Sequence, residues 1–333
     1  MDLFTRSDQQ FSRYKQSLLD QALLRSPLYQ QGNLTYYEAY FRSTTQTEYI
    51  DASFVIHYQK QALVLVQICE TVKGVSSYYG LPILFNWRAD ASAEERKGGF
   101  KLVLKTLQRI WGRAEAKTTR ISYLDPCEGP LSEFSLYLLK DGFAPVTEFR
   151  QVIDLQNSQQ VLLTDVRKNY RADIRWGEKN MTFQLFDHST ITPEIMEQFR
   201  QLHIQVSGKE TRSKQTWLAQ YDFVKSGEGF VLFGFLDGEL VATGLFIHNQ
   251  TTCYYGVGAY CRDRFDKPIS HALVWMALLH AKQIGCEQFD FGSAYFPDRS
   301  GGNDSNRVVT DKEIAISRFK QGFGGEIRSQ LLF

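Results

Sequence analysis

Residues 230–247 read FVLFGFLDGELVATGLFI. Two β-prone runs flank Asp237-Gly238, a pair suited to a tight hairpin turn. The pattern predicts strands over Gly229–Leu236 and Glu239–His248. Thr251–Ala259 reads as a third strand. Pro268–Gly285 is apolar nearly all round, which predicts a buried helix rather than a surface one. Cys286–Phe291 then reads as a short strand.

The pattern continues on both sides. Val161–Lys179 is amphipathic and predicts one helix. Met181–Phe186 alternates like a strand. Thr192–Val206 predicts a helix with Thr192 as its N-cap and Pro193 in its first turn. Downstream, the polar, Gly-rich Pro297–Thr310 reads as a mobile loop. Glu313–Gln321 reads as a helical turn and Glu326–Phe333 as a closing strand.

The first half gives a fainter version of the same order. Asp8–Leu24 has apolar residues at 3–4 residue steps, so it reads as a helix, followed by Pro27 and a turn at Gln30–Asn33. Ala52–Tyr58 and Gln61–Cys69 read as a hairpin about Gln59-Lys60. Ser76–Phe85 holds Gly80 and Pro82 and reads as a loop joined to a strand. Ala93–Gly112 reads as a helix, Arg120–Leu124 as a strand, and Ser132–Asp141 as a helix stopped by Gly142. The economical reading is an α/β chain of two related units, each with its own mixed sheet, spanning 1–160 and 161–333.

Composition narrows the function. The 333 residues carry 38 basic and 37 acidic side chains, a formal net charge of +1. That is not the charge of a dedicated duplex-DNA binder, although a local basic face is compatible with it. The five cysteines form no C-x-x-C pair and are odd in number, which favours a reducing compartment and a cytoplasmic protein. The N-terminus lacks the apolar core of a signal peptide, and no apolar run approaches the roughly 20 residues of a spanning helix. The histidines show no metal-ligand spacing, so no metal is expected. No phosphate-binding glycine loop, Rossmann fingerprint or nucleophile elbow is present. Asp290-Phe291-Gly292 is no kinase signature, since no Gly-rich loop or HRD-type stretch precedes it.

Several stretches resemble the FemABX-type aminoacyltransferases and their acyltransferase relatives. They are VRKNYRADIRWGEK (166–179), the strand pair at 230–247, the run from Tyr255 to Gly292 ending in GCEQFDFG, and RFKQGFGGE (318–326). In the first half, SYYGLPI (77–83) resembles the family's first-domain loop. The resemblance implies two tandem GNAT-like domains, the first on the acceptor side and the second on the donor side. It implies N-acyl or aminoacyl transfer to an amine. The donor would be acyl-CoA or aminoacyl-tRNA, used as co-substrate with no tightly bound cofactor. The acceptor would be a small-molecule, lipid-linked or nucleotide-linked amine, such as an amino sugar of a cell-envelope or polysaccharide precursor. No long helical arm is inserted in the second half, unlike the peptidoglycan-type members.

Acyl transfer needs a deprotonated amine, a polarised carbonyl and a held leaving group, without any covalent enzyme intermediate. By resemblance, Phe319-Lys320 would hold the donor's end, and Lys320 would stabilise the oxyanion. Asp290 would accept the amine's proton, or else be a strand-end carboxylate bonded to backbone. Tyr255 and Tyr295 would donate a proton or form stacking walls, or else be core aromatics. Arg171 and Arg175 follow Arg167 at four-residue steps, a stripe matched to phosphate or a tRNA backbone, or a plain solvated face. His203, Arg212 and Trp217 lie where the family approaches its acceptor. Tyr78 and Tyr79 would line the acceptor side from the first unit. In GNAT enzymes the helix after the central strand points at the coenzyme A pyrophosphate. The usual glycine loop is absent before that helix, and Arg262, Arg264 and Lys267 stand there instead, with Pro268 and Ser270 opening the helix. The rival expectation is a non-catalytic binding or scaffold protein on the same fold. Oligomeric state is left open.

Overall fold

The computed structural model describes residues 2–19, 26–46, 48–71, 77–111, 121–297 and 309–333. The chain runs β1 (Asp2–Thr5), α1 (Phe11–Leu19), α2 (Gln31–Thr45), β2 (Tyr49–Asp51), β3 (Phe54–Tyr58), β4 (Gln61–Gln67), β5 (Cys69–Thr71), β6 (Leu84–Trp87), α3 (Ala93–Trp111), β7 (Leu124–Asp125) and α4 (Glu133–Lys140). It continues through β8 (Val146–Asp154), α5 (Gln159–Asp165), α6 (Lys168–Asn180), β9 (Met181–Phe186), α7 (Pro193–Ser207), α8 (Lys214–Lys225), β10 (Gly229–Leu236), β11 (Glu239–His248) and β12 (Thr252–Tyr260). α9 (Ile269–Gln283), β13 (Gln288–Ser293), α10 (Asp311–Gln321) and β14 (Glu326–Leu332) complete it. The loop expected over 297–310 lies mostly outside the described residues.

Two compact units form. One comprises Met1–Leu23, Thr45–Glu148 and Ser329–Phe333, the other Leu24–Thr44 and Phe149–Arg328. The division therefore falls earlier than residue 160 and is not a single cut. β8 carries the chain from one unit to the other, and α2 belongs with the second. Residue 160 lay inside α5, where the amphipathic pattern begins, and the strand ahead of it gave no clear signal.

In the first unit, β1, β3, β4 and β6 form an antiparallel sheet in that order. α3 and α4 bury Phe100, Val103, Leu107, Phe134 and Leu138 against it. The Gln59-Lys60 turn takes positive φ at both residues, as a two-residue hairpin requires.

The second unit holds the strand order β8-β13-β12-β11-β10-β9. Neighbouring strands in it pair antiparallel except β12 with β13, which are parallel. α9 lies on one face. Its Leu273, Trp275, Ala277, Leu278 and Ala281 are all buried with Phe246, Phe289 and Phe291, as its all-round apolar character requires. α7 and α8 cover the other face through Met196, Phe199, Trp217 and Phe223. α2 joins this second layer through Tyr36, and the Glu228 carboxylate accepts the Gly32 N–H at its start, 3.0 Å away.

The helix expected over 161–179 is two helices. They break at Val166, which is buried, and Arg167, whose N–H donates to the Gly322 carbonyl at 2.9 Å. The closing FGG turn is thereby docked on the α5–α6 junction. Asp165 accepts the Gly325 N–H at 2.6 Å, and a Cβ on Gly322 would stand inside the Tyr170 ring. Gly322→Ala is expected to destabilise by about 1–3 kcal/mol, the usual range for overpacking, as read by urea denaturation.

Candidate active site

Parallel pairing of β12 with β13 covers three registers, Thr252↔Gln288, Cys253↔Phe289 and Tyr254↔Asp290, and then stops. Two local features part the strands. On β12, Gly256 is an extra residue, since Leu245 faces Val257 while Phe246 faces Tyr255. Such a bulge bends its strand. On β13, the Asp290 carboxylate accepts the Gly292 N–H at 2.7 Å, and the register to β8 shifts between Asp290 and Ser293. Gly292 has φ +74°, and the Tyr254 hydroxyl would stand 2.7 Å from any Cβ there. Only glycine meets both demands.

Where the strands part, the second unit holds a cleft of about 1010 Å³. β12 contributes Tyr254, Tyr255, Gly258 and Tyr260. The start of α9 contributes Lys267, Pro268, Ser270 and His271. α6 contributes Asn169, Tyr170 and Asp173, and α10 contributes Lys312, Ile316, Phe319 and Lys320. The Thr310 capping box with Glu313 sets the start of α10. Steps of three and four residues from Lys312 then bring Ile316, Phe319 and Lys320 to one face.

Lys320 is half-buried. Its Nζ donates to the Ser293 carbonyl at 3.3 Å, and among the described residues no carboxylate pairs with it. Burial without a counter-charge lowers its pKa to about 8. Phe319 packs with Tyr170 and His271, at ring distances of 6.0 and 5.4 Å. His271 Nε2 lies 3.7 Å from Asp173 Oδ2. Burial lowers the His271 pKa, and Asp173 opposes that shift. The Tyr255 and Tyr260 hydroxyls are bonded to each other at 2.6 Å, and burial pushes the Tyr255 pKa up to about 12. Both tyrosines are thus neutral at ordinary pH, and since one hydroxyl donates to the other, the pair keeps one proton to donate elsewhere. α9 starts with no side-chain cap on its first N–H groups, which leaves positive dipole ends at the cleft.

Of the residues expected from the sequence, Lys320, Phe319, Tyr255 and Ser270 come together in this cleft. Arg262 and Arg264 do not line it; Arg264 is paired with Glu239 at 2.6 Å. Of that basic group only Lys267, 3.1 Å from Asp266, lines the cleft, where Lys312 and Lys320 join it. Asp290 is buried, held by its ion pair with Arg150 and by the Gly292 N–H. Tyr295 is tied to α10, its N–H donating to Ser317 Oγ at 2.8 Å. Arg171 is half-buried and Arg175 exposed on α6, and neither lines the cleft. Tyr78 and Tyr79 belong to the first unit. Tyr78 is buried and accepts from Gln67 Nε2 at 2.9 Å, and Tyr79 takes φ +51°.

His203, Arg212 and Trp217 meet on the other face of the sheet. Arg212 Nη1 lies 2.9 Å from His203 Nε2, and its Nε lies 3.4 Å from the Tyr36 hydroxyl. A guanidinium only donates, so His203 Nε2 accepts and the ring is neutral. Burial first, and Arg212 second, lower the His203 pKa to about 4. Trp217 is buried against Phe199 at 5.2 Å. A histidine depressed in this way contributes stability that is present above its unfolded pKa of roughly 6.5 and lost as pH falls towards 4. His203→Gln is expected to flatten the melting temperature between pH 4 and 6.5, checked by scanning calorimetry across that window.

The parted parallel strands, the bulged β12 and the helix starting at the cleft define a GNAT-type fold. Residues 164–300 match the family model described as an Acetyltransferase (GNAT) domain. The whole chain has the architecture of tandem GNAT proteins. It is similar to a crystal structure of FemX, with TM-score 0.62 and 13% identity over 100% of this chain and 98% of that one. It is also similar to the C-terminal domain of a putative lysylphosphatidylglycerol synthetase from Agrobacterium fabrum, with TM-score 0.52 and 12% identity over 90% and 89%. A tandem GNAT protein from the clavulanic acid biosynthesis pathway aligns with TM-score 0.51 and 11% identity over 99% and 96%. No curated protein matches the chain by sequence. The expected two-unit GNAT-like, FemABX-like fold is borne out.

Tyr170, Asp173, Tyr260 and Lys312 were not singled out from the sequence. The helical spacing of Lys312 to Lys320 was legible. The inward turn of Tyr170 and Asp173 was hidden behind the arginine stripe on the same helix. Among the described residues no helix is long and apolar enough to cross a membrane, and no cluster of three or more His, Cys, Asp or Glu could hold a metal ion.

Proposed function

We propose that the chain is an N-acyltransferase that moves an acyl group from acyl-CoA to a primary amine by direct attack. The observation that carries this reading is the position of Lys320, half-buried and without an acid partner among the described residues, in the cleft where β12 and β13 part. The match of residues 164–300 to a GNAT domain supports acyl-CoA as co-substrate. The cleft volume is at the upper end for small-molecule sites, which favours coenzyme A over a large tRNA footprint.

Lys267, Lys312 and the uncapped start of α9 would hold the donor's phosphates, with Ser270 beside them. Lys320 in its ammonium form would stabilise the oxyanion as the amine attacks. Phe319 would hold the donor's end against water. Tyr255, oriented by Tyr260, would donate to the leaving thiolate. Asp290 would act indirectly, by keeping the strands apart. Arg212, with His203 and Tyr36, would grip a carboxylate or phosphate of the acceptor. Arg171 and Arg175 would meet phosphate on a larger partner. The acceptor would be an amine of a cell-envelope or polysaccharide precursor, handled in the cytoplasm. The neighbour named as a lysylphosphatidylglycerol synthetase supports transfer of an acyl or aminoacyl group at the envelope.

The test is a thermal-shift screen against coenzyme A, acetyl-CoA, uncharged tRNA and UDP-amino sugars. A ligand that binds only the native state raises its apparent stability. A coenzyme A shift is expected. A tRNA shift without one replaces acyl-CoA by aminoacyl-tRNA as donor. No shift from any ligand favours a non-catalytic protein on this fold.

A further inference from the structure

We propose that Lys320 is itself an acylation site, modified at Nζ by thioesters and other activated acyl donors that enter the cleft. The inference rests on the reading of the cleft as a donor site. Three observations carry it. Nζ lies in a cleft wide enough for a thioester, its only partner among the described residues is the Ser293 carbonyl, and no carboxylate holds it as an ammonium ion. The other charged or titratable groups lining the cleft are Lys312 on the same helix, Tyr170 and Asp173 on α6, Asp266 and Lys267 ahead of α9, His271 on α9 and the tyrosines of β12. None of them is bonded to Lys320 Nζ.

The step balances without any further reagent. The neutral Nζ lone pair attacks the acyl carbonyl carbon. A C–N bond forms and the C–S bond breaks. The sulfur leaves as thiolate, and the proton lost by nitrogen restores the thiol. The amide that results is neutral, so it removes the charge proposed to stabilise the oxyanion. Acylation would thus switch the site off.

Burial supports the chemistry. With a pKa of about 8, roughly a quarter of Lys320 is neutral at pH 7.5, against about one in a thousand for an ordinary lysine. The test incubates the full chain at pH 7.5 with acetyl-CoA, and separately with the N-hydroxysuccinimide ester of acetic acid. Peptide mass spectrometry then compares Lys320 with the exposed Lys168 and Lys179. Lys320 is expected to be acetylated about tenfold or more faster than either by both reagents, with coenzyme A protecting it. Selective labelling by the ester alone still supports the reactive lysine, and counts against acyl-CoA as the donor. Labelling no faster than at Lys168 and Lys179 with both reagents overturns the proposal. Lys320→Arg serves as the control that keeps the charge and loses the modification.

Discussion

Lys320→Ala is expected to lower turnover by about 10²–10³-fold, the loss typical of removing one donor to a developing oxyanion. Lys320→Arg, which keeps a cation, is expected to retain more. The pH profile makes the role specific. The Lys320 pKa is lowered to about 8, so the ammonium is lost as pH rises through that value. The wild-type rate should fall on the same limb, and the limb should move up or vanish in Lys320→Arg, whose guanidinium stays charged. A rate indifferent to Lys320→Ala, with no limb near pH 8, would sink the assignment. Stability should respond in the opposite sense. The fold disfavours the charged lysine, so between pH 8 and 10.5 the unfolded chain binds more protons and stability rises with pH. Lys320→Met keeps the apolar stem and removes the buried charge. It is expected to raise the melting temperature by about 2 °C at pH 7, with the gain closing above about pH 10.5.

Arg150→Ala is expected to destabilise the protein by about 3–5 kcal/mol, the usual result of leaving a buried charge without its partner. Asp290 is nearly inaccessible, its side chain 3% exposed, and Arg150 is its ion-pair partner. Urea denaturation reads the loss, and refolding yield shows whether the variant folds. Asp290→Asn separates two roles for the carboxylate. The amide oxygen can still accept the Gly292 N–H and hold the strand turn. A general base lost there would cost about 10²–10⁴ in rate. We expect turnover within about tenfold of wild type, because Arg150 and the backbone already occupy the carboxylate. A loss of the larger size would restore Asp290 as the base.

Much of the second unit was legible in the sequence. Asp237-Gly238 fixed the β10–β11 hairpin, because both of its residues take positive φ. The apolar run of α9 announced a helix covered on all sides. Thr192 does cap α7, accepting from the Ile195 N–H. Other elements were hidden. The turn expected at Gln30–Asn33 is the start of α2, whose tyrosines and polar residues give no clean apolar stripe. It is held by distant groups, Glu228 at its start and the packing of Tyr36. β8 lies in a stretch without clear alternation and is stabilised by its register on β13.

The same division runs through the candidate site. Local periodicity and turn geometry determined the strand hairpin, the buried crossover helix and the two-unit α/β class, whereas the Phe319-Lys320 pair came from the resemblance of RFKQGFGGE to the FemABX-type family. Which charges meet was decided only by tertiary structure. Asp290 and Arg264 look equally free in the sequence, yet one is buried on Arg150 and the other is bound to Glu239. Lys267, just ahead of α9, and Lys312, on α10, both line the cleft although they are 45 residues apart in the chain. Lys320 owes its lowered pKa to burial without a counter-charge, and burial is a property of neighbours far apart in the chain.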